Sequence, residues 1–294
     1  MKSGVILINK PQGFTSFDVI AKCRGILRER HLGHSGTLDP MATGVLPVFI
    51  GKATRACDLL PIDEKSYRAE FKLGYSTDTQ DTTGEKLAES GRRVTEAELL
   101  SALDSFKGEI NQLPPMYSAV KVQGKRLYDL ARQGVTVERK PRKITVYSIN
   151  LAEFDESAQS GVLEISCSKG TYIRTIINDL GEKSGTYGVM SALCRTSSSG
   201  YLLADCLTLE ELQALADKGE ADSVVKPVDS CFECYPRVNL SEKQTAMYKN
   251  GIKLSLKKLG LELDGIVRVY GEEFLGLATC DREADTLRVM KNFW

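Results

Sequence analysis

The residue pattern predicts an α+β fold with a small β-rich module at the C-terminus. Three observations carry this expectation: alternating strands around residues 67–73 and 163–167, helices opened by capping boxes at Thr95 and Thr208, and short strands crowded into the last sixty residues. A length of 294 residues suits one large domain, or one plus an appendage.

From the N-terminus, Val5 to Ile8 is an apolar run cut off by Asn9, Lys10 and Pro11, and it reads as a buried strand. Ser16 is expected to cap a helix running to about Arg30, with Phe17, Ile20, Cys23 and Leu27 forming its apolar stripe. Tyr67, Ala69, Phe71 and Leu73 then alternate with Arg68, Glu70 and Lys72, the mark of a half-buried strand with Tyr67 facing inward. Thr95 and Glu98 make a capping box ahead of Leu99, Leu100, Leu103 and Phe106. Leu163, Ile165 and Cys167 alternate with Glu164, Ser166 and Ser168. Lys169-Gly170 turns the chain there, and a helix beginning near Thr171 puts Arg174 in its first turn. A cation there faces the wrong end of the helix dipole, so an acid is expected beside it. The capping box of Thr208 and Glu211 opens a helix that runs out by about Lys218, and Pro227 and Pro236 bracket a connector. Ile266 to Tyr270, Phe274 to Cys280 and Leu287 to Phe293 are separated by charged turns, a small β-barrel pattern.

Composition excludes several classes. The chain is 42% hydrophobic and 27% charged, with no apolar run of membrane length and no signal-peptide pattern, so a cytoplasmic location without membrane attachment is expected. Its eight cysteines are then expected as reduced thiols. Cys231 and Cys234 have CxxC spacing, but no second pair or histidine follows to complete a zinc site, and no metal is expected. A net charge of zero and a pI near 6.8 are low for a nucleic-acid-binding protein. The distribution says more. Lys2, Lys10, Lys22, Arg24, Arg28 and Arg30 face only Asp18 and Glu29 in residues 1–34, while Lys121, Lys125, Arg126, Arg132, Arg139, Lys140, Arg142 and Lys143 face Asp129 and Glu138 in residues 115–145. Such regional excess can track phosphates or merely solvate a surface, and two such runs beside the Gly- and Pro-punctuated stretches at residues 33–44 and 114–119 favour RNA.

The most informative stretch is Gly33-His34-Ser35-Gly36-Thr37-Leu38-Asp39-Pro40-Met41-Ala42-Thr43-Gly44. It is neither helix-periodic nor alternating, and its one carboxylate stands before a proline that pushes Asp39 toward extended geometry. Alone, Leu-Asp-Pro fits an ordinary Asx turn as well as a held catalytic acid. The whole string resembles the catalytic loop of the TruB family of pseudouridine synthases, which modify the T-loop of transfer RNA, and of their guide-RNA-dependent relatives. The resemblance continues in order through Asn9-Lys10-Pro11-Gln12-Gly13, Lys65-Ser66-Tyr67-Arg68-Ala69, Thr77-Asp78-Thr79-Gln80-Asp81-Thr82-Thr83-Gly84, Pro114-Pro115-Met116-Tyr117-Ser118-Ala119, Ser168-Lys169-Gly170-Thr171-Tyr172-Ile173-Arg174-Thr175 and Leu193-Cys194-Arg195-Thr196. Cys194 stands where the family usually carries a longer basic run.

The resemblance implies an α+β catalytic domain over residues 1–236, built on a mixed, largely antiparallel sheet, and a PUA-like RNA-binding barrel over residues 237–294. It implies isomerisation of uridine to pseudouridine at position 55 of tRNA, in a standalone, monomeric enzyme without cofactor or obligate protein partner. Asp39 would be the nucleophile, attacking C1′ or C6 or assisting departure of the base. Arg174 would be its guanidinium partner, favouring the ionised carboxylate with two-point geometry. Tyr67 would stack on the target base and relay a proton. A uridine in a folded loop must be extruded to be reached, and His34 could fill the space it leaves or contact phosphate. Lys10, Asp81 and Leu193 would line the pocket, with Tyr172 supporting Arg174. The alternatives are a guide-RNA-dependent synthase and a non-catalytic RNA-binding or RNA-folding factor.

Overall fold

In the computed structural model, residues 2–118, 120–122 and 124–294 are described; Ala119 of the Pro-Pro motif, and the side chains of Lys121, Lys125 and Arg126 in the second basic run, fall outside that description. A large sheet organises the chain, its strands ordered Lys226–Pro227, Gly4–Lys10, Thr43–Ile50, Gly188–Ser198, Lys65–Leu73, Ser160–Cys167, Arg142–Asp155 and Gly108–Gln112. Every neighbouring pair on this path is antiparallel except Thr43–Ile50 with Gly188–Ser198, which run parallel with Cys194 opposite Thr43 and Arg195 opposite Gly44. The sheet is therefore mixed and largely antiparallel. No helix among the described residues is long and apolar enough to cross a membrane.

Side-chain alternation decides what each strand faces. Tyr67, Ala69, Phe71 and Leu73 point with Leu163, Ile165 and Cys167 into a core closed by the helices Glu96–Leu103 and Ile173–Lys183. Gly4–Lys10 is buried on both faces instead: Ile6 and Ile8 meet the helices Ser16–Leu27 and Leu209–Asp217, while Val5 and Leu7 meet the C-terminal module. That two-sided burial is why Val5 to Ile8 reads as an unbroken apolar run.

The first helix departs from expectation. Its cap is Thr15, not Ser16: the Thr15 hydroxyl accepts from Asp18 N at 3.1 Å and Asp18 Oδ2 accepts from Thr15 N at 2.8 Å. It ends at Leu27 rather than Arg30, because Arg28 turns left-handed at φ 52°. Phe17 is 65% exposed rather than part of the apolar stripe, and Arg24 lies over its ring at 5.6 Å; Val19 joins Ile20, Cys23 and Leu27 in the core. The capping boxes at Thr95 and Thr208 form as expected.

The last residues form a four-stranded sheet in the order Arg237–Asn239, Gly265–Tyr270, Phe274–Asp281 and Thr286–Asn292. Among the described residues its two edge strands do not pair with each other, and only Leu254 bridges the edge at Leu287, so the expected barrel is not closed. Tyr248 of the helix Glu242–Lys249 covers one face instead, buried with Val267, Val269 and Leu287. The other face docks on the large sheet through Leu277 and Phe293, with Phe232 from the connector fully buried between the rings of Tyr235, Phe274 and Phe293. Cys231 of the CxxC pair meets the Tyr201 hydroxyl at 3.2 Å, and Cys234 is exposed. Phe232→Ala is expected to cost about 3–5 kcal/mol, as a large ring is lost from a packed site. Urea denaturation measures it, and a loss under about 1 kcal/mol would mean that the two sheets are only loosely joined.

Candidate active site

The loop between the strands Leu32–His34 and Thr43–Ile50 is pinned from behind. Buried Ser16 grips its centre, accepting from Leu38 N at 2.8 Å and donating to Leu38 O at 3.3 Å, which is the work this serine does in place of capping. Gly13 N donates to Pro40 O at 2.8 Å. Lys10 Nζ donates to the carbonyls of Pro11 at 2.9 Å, Phe14 at 2.5 Å and Pro40 at 3.3 Å. Gly44 is required where the loop rejoins the sheet: φ is +104°, and a Cβ would stand 2.2 Å from Arg195 O.

Asp39 projects from this frame onto Arg174, the second residue of the helix Ile173–Lys183. Arg174 Nε lies 3.0 Å from Asp39 Oδ2 and Nη2 donates to Oδ1 at 3.3 Å, a two-point pair. The same guanidinium donates to Thr79 O and Tyr117 O, each at 3.0 Å, and stands 3.7 Å from Asp81 Oδ2. Arg174 is only 5% exposed, and it ties together the loops that carry Asp39, Thr79 and Tyr117. The acid expected beside this helix-terminal cation is thus supplied twice. Asp81 is held by Thr79 Oγ1 at 2.7 Å and by Thr83 N and Oγ1 at 2.9 and 2.5 Å. The start of the Arg174 helix is fixed by buried Gln112, which accepts from Tyr172 N at 2.8 Å and donates to Tyr172 O at 2.9 Å.

Asp39 and Arg174 form the floor of a cavity of about 270 Å³ walled by Tyr67, Tyr172, Leu193, Thr37 and Ser118. A larger cleft of about 840 Å³ lies between the C-terminal module and Lys52, lined by Lys249, Glu242, Glu272 and Glu273 among others. Burial pushes the Asp39 carboxyl above the ordinary carboxylate range and Asp81 adds to this, while Arg174 and Lys10 oppose it. The carboxyl is nonetheless 37% exposed toward the cavity, open to a ligand. Burial also raises the Tyr67 phenol against the opposing charge of Arg195, which keeps it a neutral donor.

Five of the residues singled out from sequence therefore share one cavity: Asp39, Arg174, Tyr67, Tyr172 and Leu193. Lys10 and Asp81 do not line it. Lys10 is fully buried behind the loop, its ammonium lowered to about 8 by burial, and Asp81 braces Arg174 from the far side. A buried lysine surrounded by carbonyls fixes a backbone; it does not reach outward. His34 lines a neighbouring cavity instead, where burial and the charge of Arg195 hold the imidazole below its ordinary pKa. Sequence reasoning missed Gln112, Thr79, Thr83 and Ser16 as supports, and gave no role to Lys65 or Arg195. Both lie inside the stretches Lys65-Ser66-Tyr67-Arg68-Ala69 and Leu193-Cys194-Arg195-Thr196, which is the available signal.

Two family models match the chain: TruB family pseudouridylate synthase (N terminal domain) over residues 24–173 and tRNA pseudouridylate synthase B C-terminal domain over residues 174–233. Among similar proteins is a tRNA pseudouridine synthase B from Geobacillus thermodenitrificans (strain NG80-2), 42% identical over 97% of this chain and 94% of that protein. Another, from Neisseria meningitidis serogroup A, is 40% identical over 98% of this chain and 94% of its own length. Among solved structures, a Cbf5-Nop10-Gar1 complex matches with a TM-score of 0.75 and 27% identity, covering 99% of this chain and 85% of that one.

Proposed function

Because the chain belongs to the TruB family of pseudouridylate synthases, we propose that it isomerises uridine to pseudouridine in tRNA, at position 55 of the T-loop. The observation that carries this reading is the Asp39–Arg174 pair on the floor of a cavity of about 270 Å³, a size for one nucleoside rather than a helix. The reaction breaks the bond between ribose C1′ and uracil N1 and joins C1′ to C5; C5 loses a proton and N1 gains one, so nothing is oxidised or reduced. Asp39 is the nucleophile, at C1′ or C6 of an extruded uridine. Tyr67 packs against the base and, as a neutral phenol, can pass a proton. Leu193 and Tyr172 form the remaining walls, Lys10 and Asp81 hold the loop and the guanidinium, and His34 borders the space that the base vacates. Residues 1–236 carry the chemistry, and residues 237–294 serve as a PUA-like RNA-binding module that acts as an open sheet packed on the first.

A guide-RNA-dependent reading draws on the similarity to the Cbf5-Nop10-Gar1 complex, at 27% identity. The standalone reading is favoured by 42% identity over nearly the full length of both chains. The two separate in one experiment: the purified chain alone, with unmodified tRNA transcript, is expected to convert position 55. Conversion only with added RNA or protein would favour the guided reading, and tight binding without conversion would make the protein an RNA-binding factor.

A further inference from the structure

The Asp39 cavity adjoins the one beside His34, of about 310 Å³, and the two share Gly36 and Lys65. At this junction two cationic nitrogens converge on a bare backbone. A Cβ on Gly36 would lie 2.9 Å from Lys65 Nζ and 3.2 Å from Arg195 Nη1, and the residue also has φ +78°. Arg195 is fully buried; its Nε donates to Val45 O at 2.8 Å and its Nη2 to Gly36 O at 3.0 Å, while Nη1 has no partner among the described residues. The carboxylates nearby are committed elsewhere or stand apart. Asp63 pairs with Lys169 at 2.9 Å and Asp39 with Arg174, while Asp58 lines the outer wall of the second cavity. A buried guanidinium beside a half-buried ammonium without a counter-ion is costly, and a bound anion lowers the cost.

We propose that Lys65, backed by Arg195 across the bare Cα of Gly36, holds an RNA phosphodiester at the junction of the two cavities, next to the nucleotide whose base enters the Asp39 cavity. This rests on the RNA-modifying reading above. Lys65 makes the contact; Arg195 lies beneath Gly36 and acts through its charge. The site is a point-charge contact and carries no base preference, so it positions the strand while the cavity reads the base. Its surroundings also make it responsive to pH. Lys65 is lowered to about 8 by burial and by Arg195, with Lys169 lowering it further and Asp63 and Cys167 opposing, and the neutral His34 imidazole lies alongside. A bound phosphate favours the protonated ammonium, so affinity should fall as pH rises through that value.

The test is a cycle of protein and RNA changes with the full chain and T-arm hairpins, each carrying one neutral methylphosphonate linkage near the target uridine. Wild type is expected to lose roughly tenfold or more in affinity at a single linkage position, as for a charge-assisted contact. Lys65→Met should lose a similar amount on unmodified RNA and nothing further at that position. Lys65→Arg should retain binding and remove the weakening seen for wild type between pH 7 and 9. Thermal melts of both variants report folding independently. If the loss in Lys65→Met adds to that of every linkage equally, or if Lys65→Arg keeps the same pH dependence as wild type, the phosphate seat is overturned while RNA modification stands. If wild type neither binds nor converts the hairpin or whole tRNA, the functional reading fails and this site with it.

Discussion

Asp39→Asn is expected to bind tRNA as wild type does and to lose turnover by a factor on the order of 10⁴ or more, the scale seen when a covalent nucleophile is removed. The amide keeps the shape and can still accept from Arg174, so the loop should hold its place. What it lacks is the anion. Single-turnover conversion against direct binding measures the two effects separately, and full activity in the Asn variant would sink the nucleophile assignment. The wild-type pH profile should agree. Burial raises the Asp39 carboxyl, so kcat/KM should begin to fall at a higher pH than for a free aspartate as the solution is acidified. Stability linked to this one group has the opposite sign: the folded state holds the proton more tightly than the unfolded chain, so acidification between the ordinary and the raised value favours folding. Comparing wild type with Asp39→Asn isolates that contribution from the other carboxylates.

Arg174→Lys is expected to be almost as damaging, although it keeps the charge. One planar group meets Asp39 at two points and also the carbonyls of Thr79 and Tyr117. An ammonium on a shorter reach cannot serve all four directions. We expect roughly 10²-fold slower chemistry from a displaced nucleophile and a destabilisation of about 2–4 kcal/mol from buried carbonyls left unpaired. Wild-type rates in this variant would show that the guanidinium geometry is not needed. Normal stability with slow chemistry would instead separate its effect on Asp39 from its hold on the loops.

What could be read from the sequence depended on whether a residue advertises its surroundings locally. The strand Lys65–Leu73 was legible because one face is buried and the other is not, and the capping boxes because their partners lie three residues apart. Thr43–Ile50 and Gly188–Ser198 were not assigned as strands, since both lie within the sheet and lack a clean polar face. The meeting of Asp39 with Arg174 was expected from the motif resemblance and from a cation at the wrong end of a helix. Lys10 was misplaced on the cavity wall because nothing adjacent in sequence says that its ammonium turns inward to three carbonyls. Three of the four C-terminal strands are legible nearly to the residue and the short parallel strand Arg237–Asn239 is not; closure is a property of strand count and docking, and the docking partner Phe232 lies outside them.

The way that terminal sheet is attached sets a condition on any ligand that touches both halves of the molecule. A seam of Phe49, Phe232, Leu277 and Phe293 is packed like an interior, so parting the two sheets would expose large apolar groups to water. If the terminal sheet binds RNA as proposed, the span from the Asp39 cavity to its outer face is a gauge that this packing sets in the free protein. On that reading an RNA arm of matching length would be met at both ends with little further ordering cost, whereas one lengthened or shortened between those ends would satisfy only one of them.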